Sequence, residues 1–365
     1  KGGEDERRAN FFYTGTHTLT DYAPLPRQDY TAIDNQITKP MKSWHEWSNK
    51  DQVGTLPEWP PVLKVGKAPY NWRRQALFIK DDDPAGVGYY VLRDTLTGGQ
   101  PTMWQFWSVT EKIGSPEQAR DVTAFLADKP GNTVVPPREL RGNRFTGIGP
   151  FGVDLEYYIA SPTDTPRYTL RWGTKQIATP NNGFNDYQDM LHLQLTGDGV
   201  YYVVIYPRKR TEPVPLFQTL GNGTVIKVSG AFGRDYCFLS GTEAYGAGEG
   251  AVFHGTCASV QDRTGCLLLA LGAKGSVSYK GCRLESDFPV SLRSDKSGLL
   301  LETQQKVADG VNSLKPFPGG KMVFTAPGAW TLEKPAPGVA LEEAEGAYTV
   351  TLPEGVTRVS LVKKK

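Results

Sequence analysis

The histidines, arginines and aromatic rings of this sequence decide what chemistry it could carry. Its four histidines, His17, His45, His192 and His254, are scattered, with no two close in sequence. His45 stands apart because it lies in Trp44-His45-Glu46-Trp47. Indole rings to stack on a sugar, with an imidazole and a carboxylate beside them, would make a glycan contact. The alternative is a loop histidine packed among aromatics. His192 alternates with Leu191 and Leu193 and reads as an ordinary strand residue, while His17 and His254 have no partner the sequence identifies. Arg73 and Arg74 follow Trp72 at the start of a strand-like run, where alternation sends their side chains to opposite faces. One could clamp a ligand carboxylate in a bidentate fork, or pair with Asp94 or Asp154 inside the protein. Trp44, His45, Trp47, Arg73 and Arg74 are therefore the candidate substrate-binding residues, and no catalytic residue is assigned.

Asp81-Asp82-Asp83 resembles part of a calcium loop but lacks the alternation and closing Glu of an EF-hand, and reads as a solvated turn. Cys237, Cys257, Cys266 and Cys282 contain no Cys-x-x-Cys pair, which argues against a zinc cluster. Four cysteines confined to one β-rich segment suggest one or two disulfides and an oxidising compartment, with buried free thiols as the alternative. No phosphate-cradling Gly loop, Gly-x-Ser-x-Gly elbow or nucleotide motif occurs. Neither a metal nor a cofactor is expected.

The elements that must position these residues are strands. The 365 residues include 40 Gly and 27 Pro, which leaves few stretches where a helix escapes their cost of about 1 and 3 kcal/mol each. Tyr70–Lys80, Tyr89–Thr95 and Met103–Val109 are strand-length apolar runs bounded by Asp, Pro or Gly. They read as three antiparallel strands of a sandwich core. In the last, Met103, Gln105, Trp107 and Val109 alternate with Trp104, Phe106 and Ser108, large rings on both sides, so both faces are expected to be covered. Ser115–Leu126 is the best helix candidate, with Ser115 as cap, Pro116 at the first position, and Val122, Phe125 and Leu126 on one face. Asp186–Leu195 and the strand 200–206 are expected to form a hairpin through Gly197-Asp198-Gly199.

The run Arg73-Arg74-Gln75-Ala76-Leu77-Phe78-Ile79-Lys80, a short acidic turn, then Tyr89-Tyr90-Val91-Leu92-Arg93-Asp94 resembles the β-sandwich part of heparinase II/III-type polysaccharide lyases. Gly199-Val200-Tyr201-Tyr202-Val203-Val204-Ile205-Tyr206-Pro207-Arg208, followed by Pro213-Val214-Pro215, is similar to the same family's next core strand. The resemblance covers roughly residues 60–310. It implies a large antiparallel β-sandwich of the supersandwich kind, in a protein acting on or binding acidic, uronic-acid-containing glycans. Such a lyase neutralises the C5 carboxylate, removes the C5 proton with a base and protonates the leaving oxygen. Much of that equipment sits in the family on an N-terminal helical toroid, and a His-x-His-x-x-Asp-like segment precedes the strands. Neither is found in these 365 residues.

The expected organisation is all-β: an irregular, aromatic-rich lead over 1–69, a large antiparallel β-sandwich over 70–314 and a small C-terminal β-module or appended sheet over 315–365. The sequence starts without Met and is expected to begin inside a gene product. Catalysis would then need a helical domain on a preceding part of the chain or on a separate chain. The alternative is a non-catalytic carbohydrate-binding or structural cell-surface module. Acidic polysaccharide is the expected partner, and a secreted, periplasmic or cell-surface location is expected. A net charge of +2, from 41 basic and 39 acidic residues, gives no field to hold nucleic acid. No apolar run approaches the ~20 residues of a membrane span.

Overall fold

A computed structural model of the chain describes residues 15–38, 69–130, 135–175, 185–309 and 312–364. It is 65% strand and 4% helix, which makes the fold all-β with large antiparallel sheets. The chain divides into two compact units. One takes Lys1–Thr16, Asn35–Trp72 and Asp94–Glu212, the other His17–Asp34, Arg73–Arg93 and Pro213–Lys365.

In the second unit the chain after Pro213 builds a 14-stranded antiparallel sheet around the long hairpin Gly233–Gly248 and Ala251–Arg263. Strands expected as a C-terminal module belong to this sheet: Gly320–Thr325 pairs with Cys282–Ser286, and Arg358–Lys363 with Gly298–Thr303. The sheet curls until it nearly closes. At the seam the Trp330 amide donates to the Tyr348 hydroxyl at 3.1 Å, and Lys364 pairs with Glu343 at 2.7 Å. The inner face buries a large apolar core that includes Phe238, Phe253, Leu269, Leu284, Phe324 and Trp330.

The other face is covered by strand residues of His17–Asp34 and Arg73–Arg93, and here the interior is polar. The Tyr89 hydroxyl donates to Asp235 at 3.0 Å, Gln75 donates to the Tyr30 hydroxyl at 2.8 Å, and Ser259 donates to Gln28 at 2.5 Å. Ion pairs carry this layer outward. Arg263 holds Asp235 at 2.8 Å and Asp81 at 2.5 Å, while Arg27 holds Asp82 at 2.6 Å and Arg293 reaches Asp82 at 2.9 Å. Asp81-Asp82-Asp83 is thus no mere solvated turn, because two of its carboxylates tie the covering layer to the large sheet. Burial pushes the Asp235 carboxyl up, and the Arg263 guanidinium and the Tyr89 hydroxyl pull it back down.

The expected disulfide is absent: all four cysteines are free, with Cys237, Cys257 and Cys282 buried. Cys237 stands opposite Ser259 and Cys257 opposite Leu239, which makes the two thiols diagonal neighbours on adjacent strands. Diagonal positions lie about 7 Å apart, too far for a bridge that needs Cβ atoms about 4 Å apart. Burial pushes the Cys237 thiol up to about 12, so it stays protonated and unreactive at neutral pH.

The first unit is a smaller sandwich. One sheet runs Gly199–Lys209, Val153–Ser161, Arg144–Ile148 and Lys112–Gly114 in hydrogen-bonded order. The other runs Thr102–Ser108, Asn185–Leu195, Arg167–Lys175 and Val135–Leu140. Between them the Tyr157 hydroxyl donates to Ser108 at 3.0 Å, and the Tyr201 hydroxyl to the Thr102 carbonyl at 2.7 Å. The hairpin expected across Gly197-Asp198-Gly199 does not form. Asn185–Leu195 and Gly199–Lys209 lie in different sheets, so the turn is an arch between layers. Thr102–Ser108 likewise lies in the opposite sheet from Gly199–Lys209, and the Gly98-Gly99 turn before it is pinned by the Gly99 amide donating to Asp198 at 2.5 Å. Gly98 and Gly99 have φ of 118° and 68°, which side chains with a Cβ rarely adopt.

The alternation in 103–109 holds, but the face of Met103, Gln105, Trp107 and Val109 is covered only in part. Trp104 and Ser108 are buried, whereas Met103 and Val109 are 45% and 56% exposed. The helix over 115–126 splits in two. Ser115 and Gln118 cap each other reciprocally, then Asp121 turns extended and caps a new start by accepting from the Ala124 amide at 3.0 Å. Phe125 buries against Ile148 with Val122 and Leu126 packed beside it, as the apolar spacing predicts, and Ala119 joins them.

Two expected outcomes follow from the buried polar groups. Removing one partner of a buried pair strands the other charge, so Arg263→Ala should lower stability by about 3–5 kcal/mol. Arg283→Ala, which breaks a 2.6 Å pair whose partners are 56% and 52% exposed, should cost under about 1 kcal/mol. Urea denaturation of both variants makes the comparison. His192 is fully buried between Gln105 and Gln194, and burial pushes its imidazole down from 6.5 to about 4. Above pH 6.5 it is neutral folded and unfolded. As pH falls from 6.5 to 4 only the unfolded chain takes the proton, which drains stability on the order of 3 kcal/mol and then levels off. Denaturation midpoints of His192→Gln should lose that share of the acid slope, and an unchanged slope would exclude His192 as its source.

Candidate functional site

A concave surface lies within the second unit. Two hollows of about 490 and 530 Å³ meet at Tyr22 and Gln304, which line both. Together they form an open-sided groove, with each hollow in the size range of a ligand site.

Its walls are set by identifiable contacts. Strand Gly298–Thr303 ends where the Thr303 amide donates to the Thr357 carbonyl at 2.9 Å. The chain then turns back as the small ribbon Lys306–Ala308 with Leu314–Pro316. Phe317 anchors this ribbon by burying against Phe288 at 4.8 Å, and its amide donates to the Gln305 carbonyl at 2.8 Å. Asn312 fastens the ribbon to strand Gly15–Leu25. Its side-chain oxygen accepts from the Leu19 amide at 2.7 Å and its side-chain nitrogen donates to the His17 carbonyl at 2.5 Å.

The groove is lined by charge of both signs with cations in excess. Lys80, Lys306 and Arg358 line one hollow, Lys274 and Lys321 the other. Lys80 pairs with Asp29 at 2.7 Å, Lys274 with Asp287 at 3.1 Å and Arg358 with Glu302 at 3.8 Å. Lys306 and Lys321, one in each hollow, are exposed and have no carboxylate within 4 Å among the described residues. Burial pushes the Glu302 and Asp21 carboxyls above their usual range. A wall of this kind can neutralise several anionic groups on an extended ligand and hydrogen-bond the hydroxyls between them.

Of the residues singled out from the sequence, Trp44, His45 and Trp47 lie outside the described residues. Arg73 sits beneath the groove rather than in it. Its terminal nitrogens engage Asp34 at 2.7 Å, Asp21 at 3.1 Å and the Thr20 hydroxyl at 3.2 Å. Its internal partners are therefore Asp21 and Asp34, not Asp94 or Asp154, and it acts on the groove through Asp21. Arg74 is partly buried, on the opposite face of the same strand. Among the described residues no group of three or more His, Cys, Asp or Glu stands together as a metal site.

Sequence reasoning missed one surface cluster. Tyr245 stacks on His254 at 4.2 Å, and His254 Nε2 lies 3.0 Å from Glu243. The signal was available in Gly248-Glu249-Gly250-Ala251. Its two central residues adopt φ of 50° and 86°, the geometry of a two-residue hairpin turn, and counting back from it places Tyr245 opposite His254. In the first unit Arg171, Asp189, Thr110 and Ser108 form another group of reactive side chains. Arg171 donates to Asp189 at 2.7 Å and to the carbonyls of Thr110, Glu111 and Pro130, so its donors are turned inward and its role is structural.

No helix among the described residues is long and apolar enough to cross a membrane. A scan of the sequence against protein-family models gave no match, and a search of curated proteins gave none either.

Proposed function

We propose that this chain is the β-sandwich part of a heparinase II/III-like polysaccharide lyase and binds acidic, uronic-acid-containing polysaccharide along the groove of its second unit. The observation that carries this reading is the shape and charge of that groove: two joined hollows, open along their length, with an unpaired lysine in each among the described residues. A polymer threads an open groove, whereas a small metabolite needs enclosure. Lysine ammonium groups suit carboxylates spaced along such a polymer, and Asp29, Asp287 and Gln304 suit its hydroxyls.

Elimination also needs a base and an acid within hydrogen-bond reach of one sugar. Among the described residues none of the histidines His17, His192 and His254 lines either hollow, and Tyr22 is the single phenol that does. The groove therefore contributes binding and carboxylate neutralisation. The proton transfers fall to a helical domain, on a preceding part of the chain or on a separate chain. A polymer of this class belongs to an extracellular matrix or cell envelope, so this reading carries with it a secreted, periplasmic or cell-surface location. The alternative of a purely carbohydrate-binding module shares the same groove and differs only in lacking those transfers.

Calorimetric titration with a polyuronate tests the binding. Joint Lys306→Glu and Lys321→Glu substitution should weaken it by at least about tenfold, or 1.4 kcal/mol, and steepen with falling salt. Affinity that ignores both substitutions would overturn the reading. Residues 1–365 alone should give no unsaturated-uronate absorbance over a panel of acidic polysaccharides. Turnover that survives both Tyr22→Phe and His45→Ala would place the chemistry elsewhere.

A further inference from the structure

The groove does not end at Lys274. That lysine lines one hollow, and its ammonium group, raised by Asp287, also feels the Glu243 carboxylate. Glu243 belongs to the surface cluster with His254 and Tyr245. The backbones are close as well: Gly255 lies opposite Gly275, and a Cβ on Gly255 would come within 2.6 Å of the Lys274 carbonyl. From this continuity we infer that Tyr245, His254 and Glu243 form an additional sugar subsite, which takes a pyranose ring of the same polysaccharide as it leaves the groove. The inference rests on the proposed glycan groove and extends it by one contact.

Three features make the cluster more than a stray exposed ring. Tyr245 is 76% exposed, yet it is held flat, with its ring 28° from parallel to that of His254. The carboxylate has been brought there by a bulge. Between Leu239 and Ala244 one strand advances five residues while its partner moves two, from Cys257 to Gly255, and Glu243 lies in the excess. Bulges re-aim side chains in this way. The cluster also sets one aromatic face beside a carboxylate–imidazole pair. A pyranose matches that pairing, with C–H bonds on its face for the ring and hydroxyls at its rim for Glu243 and His254. A protein partner would want a broader contiguous apolar patch.

The test is affinity against chain length. Uronate oligosaccharides of increasing length are titrated into the full chain, Tyr245→Ala, and the Lys306→Glu/Lys321→Glu variant. Tyr245 is exposed, so its removal should leave the fold intact, which circular dichroism checks. For wild type, affinity should keep rising beyond the length that fills the groove. Tyr245→Ala should remove that last rise, a loss of about tenfold for the longest oligosaccharides and less than about twofold for the shortest. The lysine variant should weaken all lengths. Equal loss at every length for Tyr245→Ala, or none, overturns the subsite while leaving the groove in place. A lysine variant that binds like wild type while Tyr245→Ala still fails on long chains overturns the groove instead.

Discussion

The second unit depends on one run of alternating charge: Asp235, Arg263, Asp81, Arg27, Asp82 and Arg293. It starts at a carboxylate with no solvent exposure and ends at a guanidinium on the surface. Each link is short, except the 3.9 Å between Arg27 and Asp81. A buried charge is tolerable only when paired and hydrogen-bonded, so the run allows few alternative registers for the layers it joins. Slipping the covering strands over the large sheet by one residue would separate Tyr89 from Asp235 and Gln75 from the Thr256 carbonyl together. The large sheet can therefore be apolar on its inner face and polar on its outer one. Phe238 and Phe253 stack at 5.5 Å inside, while Ser259, Gln261 and Asp235 hydrogen-bond outside.

The same run shapes the groove. Arg293, its last member, pairs with Asp295 and sits near Glu302 on the groove wall. Arg73 does the corresponding work at the other hollow by holding Asp21. Of the groove's carboxylates, Asp21 is thus held from behind by an arginine, whereas Asp29 and Asp287 pair with the groove's own Lys80 and Lys274. Lys306 and Lys321 are exposed and have no carboxylate within 4 Å among the described residues, which leaves their ammonium groups open to an anion.

Much of the fold was legible from local patterns. Strand-length runs, the 103–109 alternation and the Ser115 cap all report on backbone period and capping, which neighbours in sequence determine. The arches were not legible, because Gly197-Asp198-Gly199 looks the same whether it joins paired strands or crosses between sheets. Nor was the role of Asp81 and Asp82, whose arginine partners lie 54 to 211 residues away. The groove is the extreme case. Tyr22, Lys80, Lys274, Gln304, Lys321 and Arg358 share a surface only after the large sheet has curled, so no local spacing announces them. The Tyr245–His254 pair could have been read from its turn.

Lysine footprinting tests the central claim most directly. Acetylation of the native protein, with and without saturating polyuronate, is read residue by residue by mass spectrometry. If the groove holds the polymer, Lys306 and Lys321 lose reactivity on binding, whereas Lys209, 62% exposed in the first unit, keeps it. Protection spread evenly over exposed lysines, or confined to those outside the groove, would contradict the account.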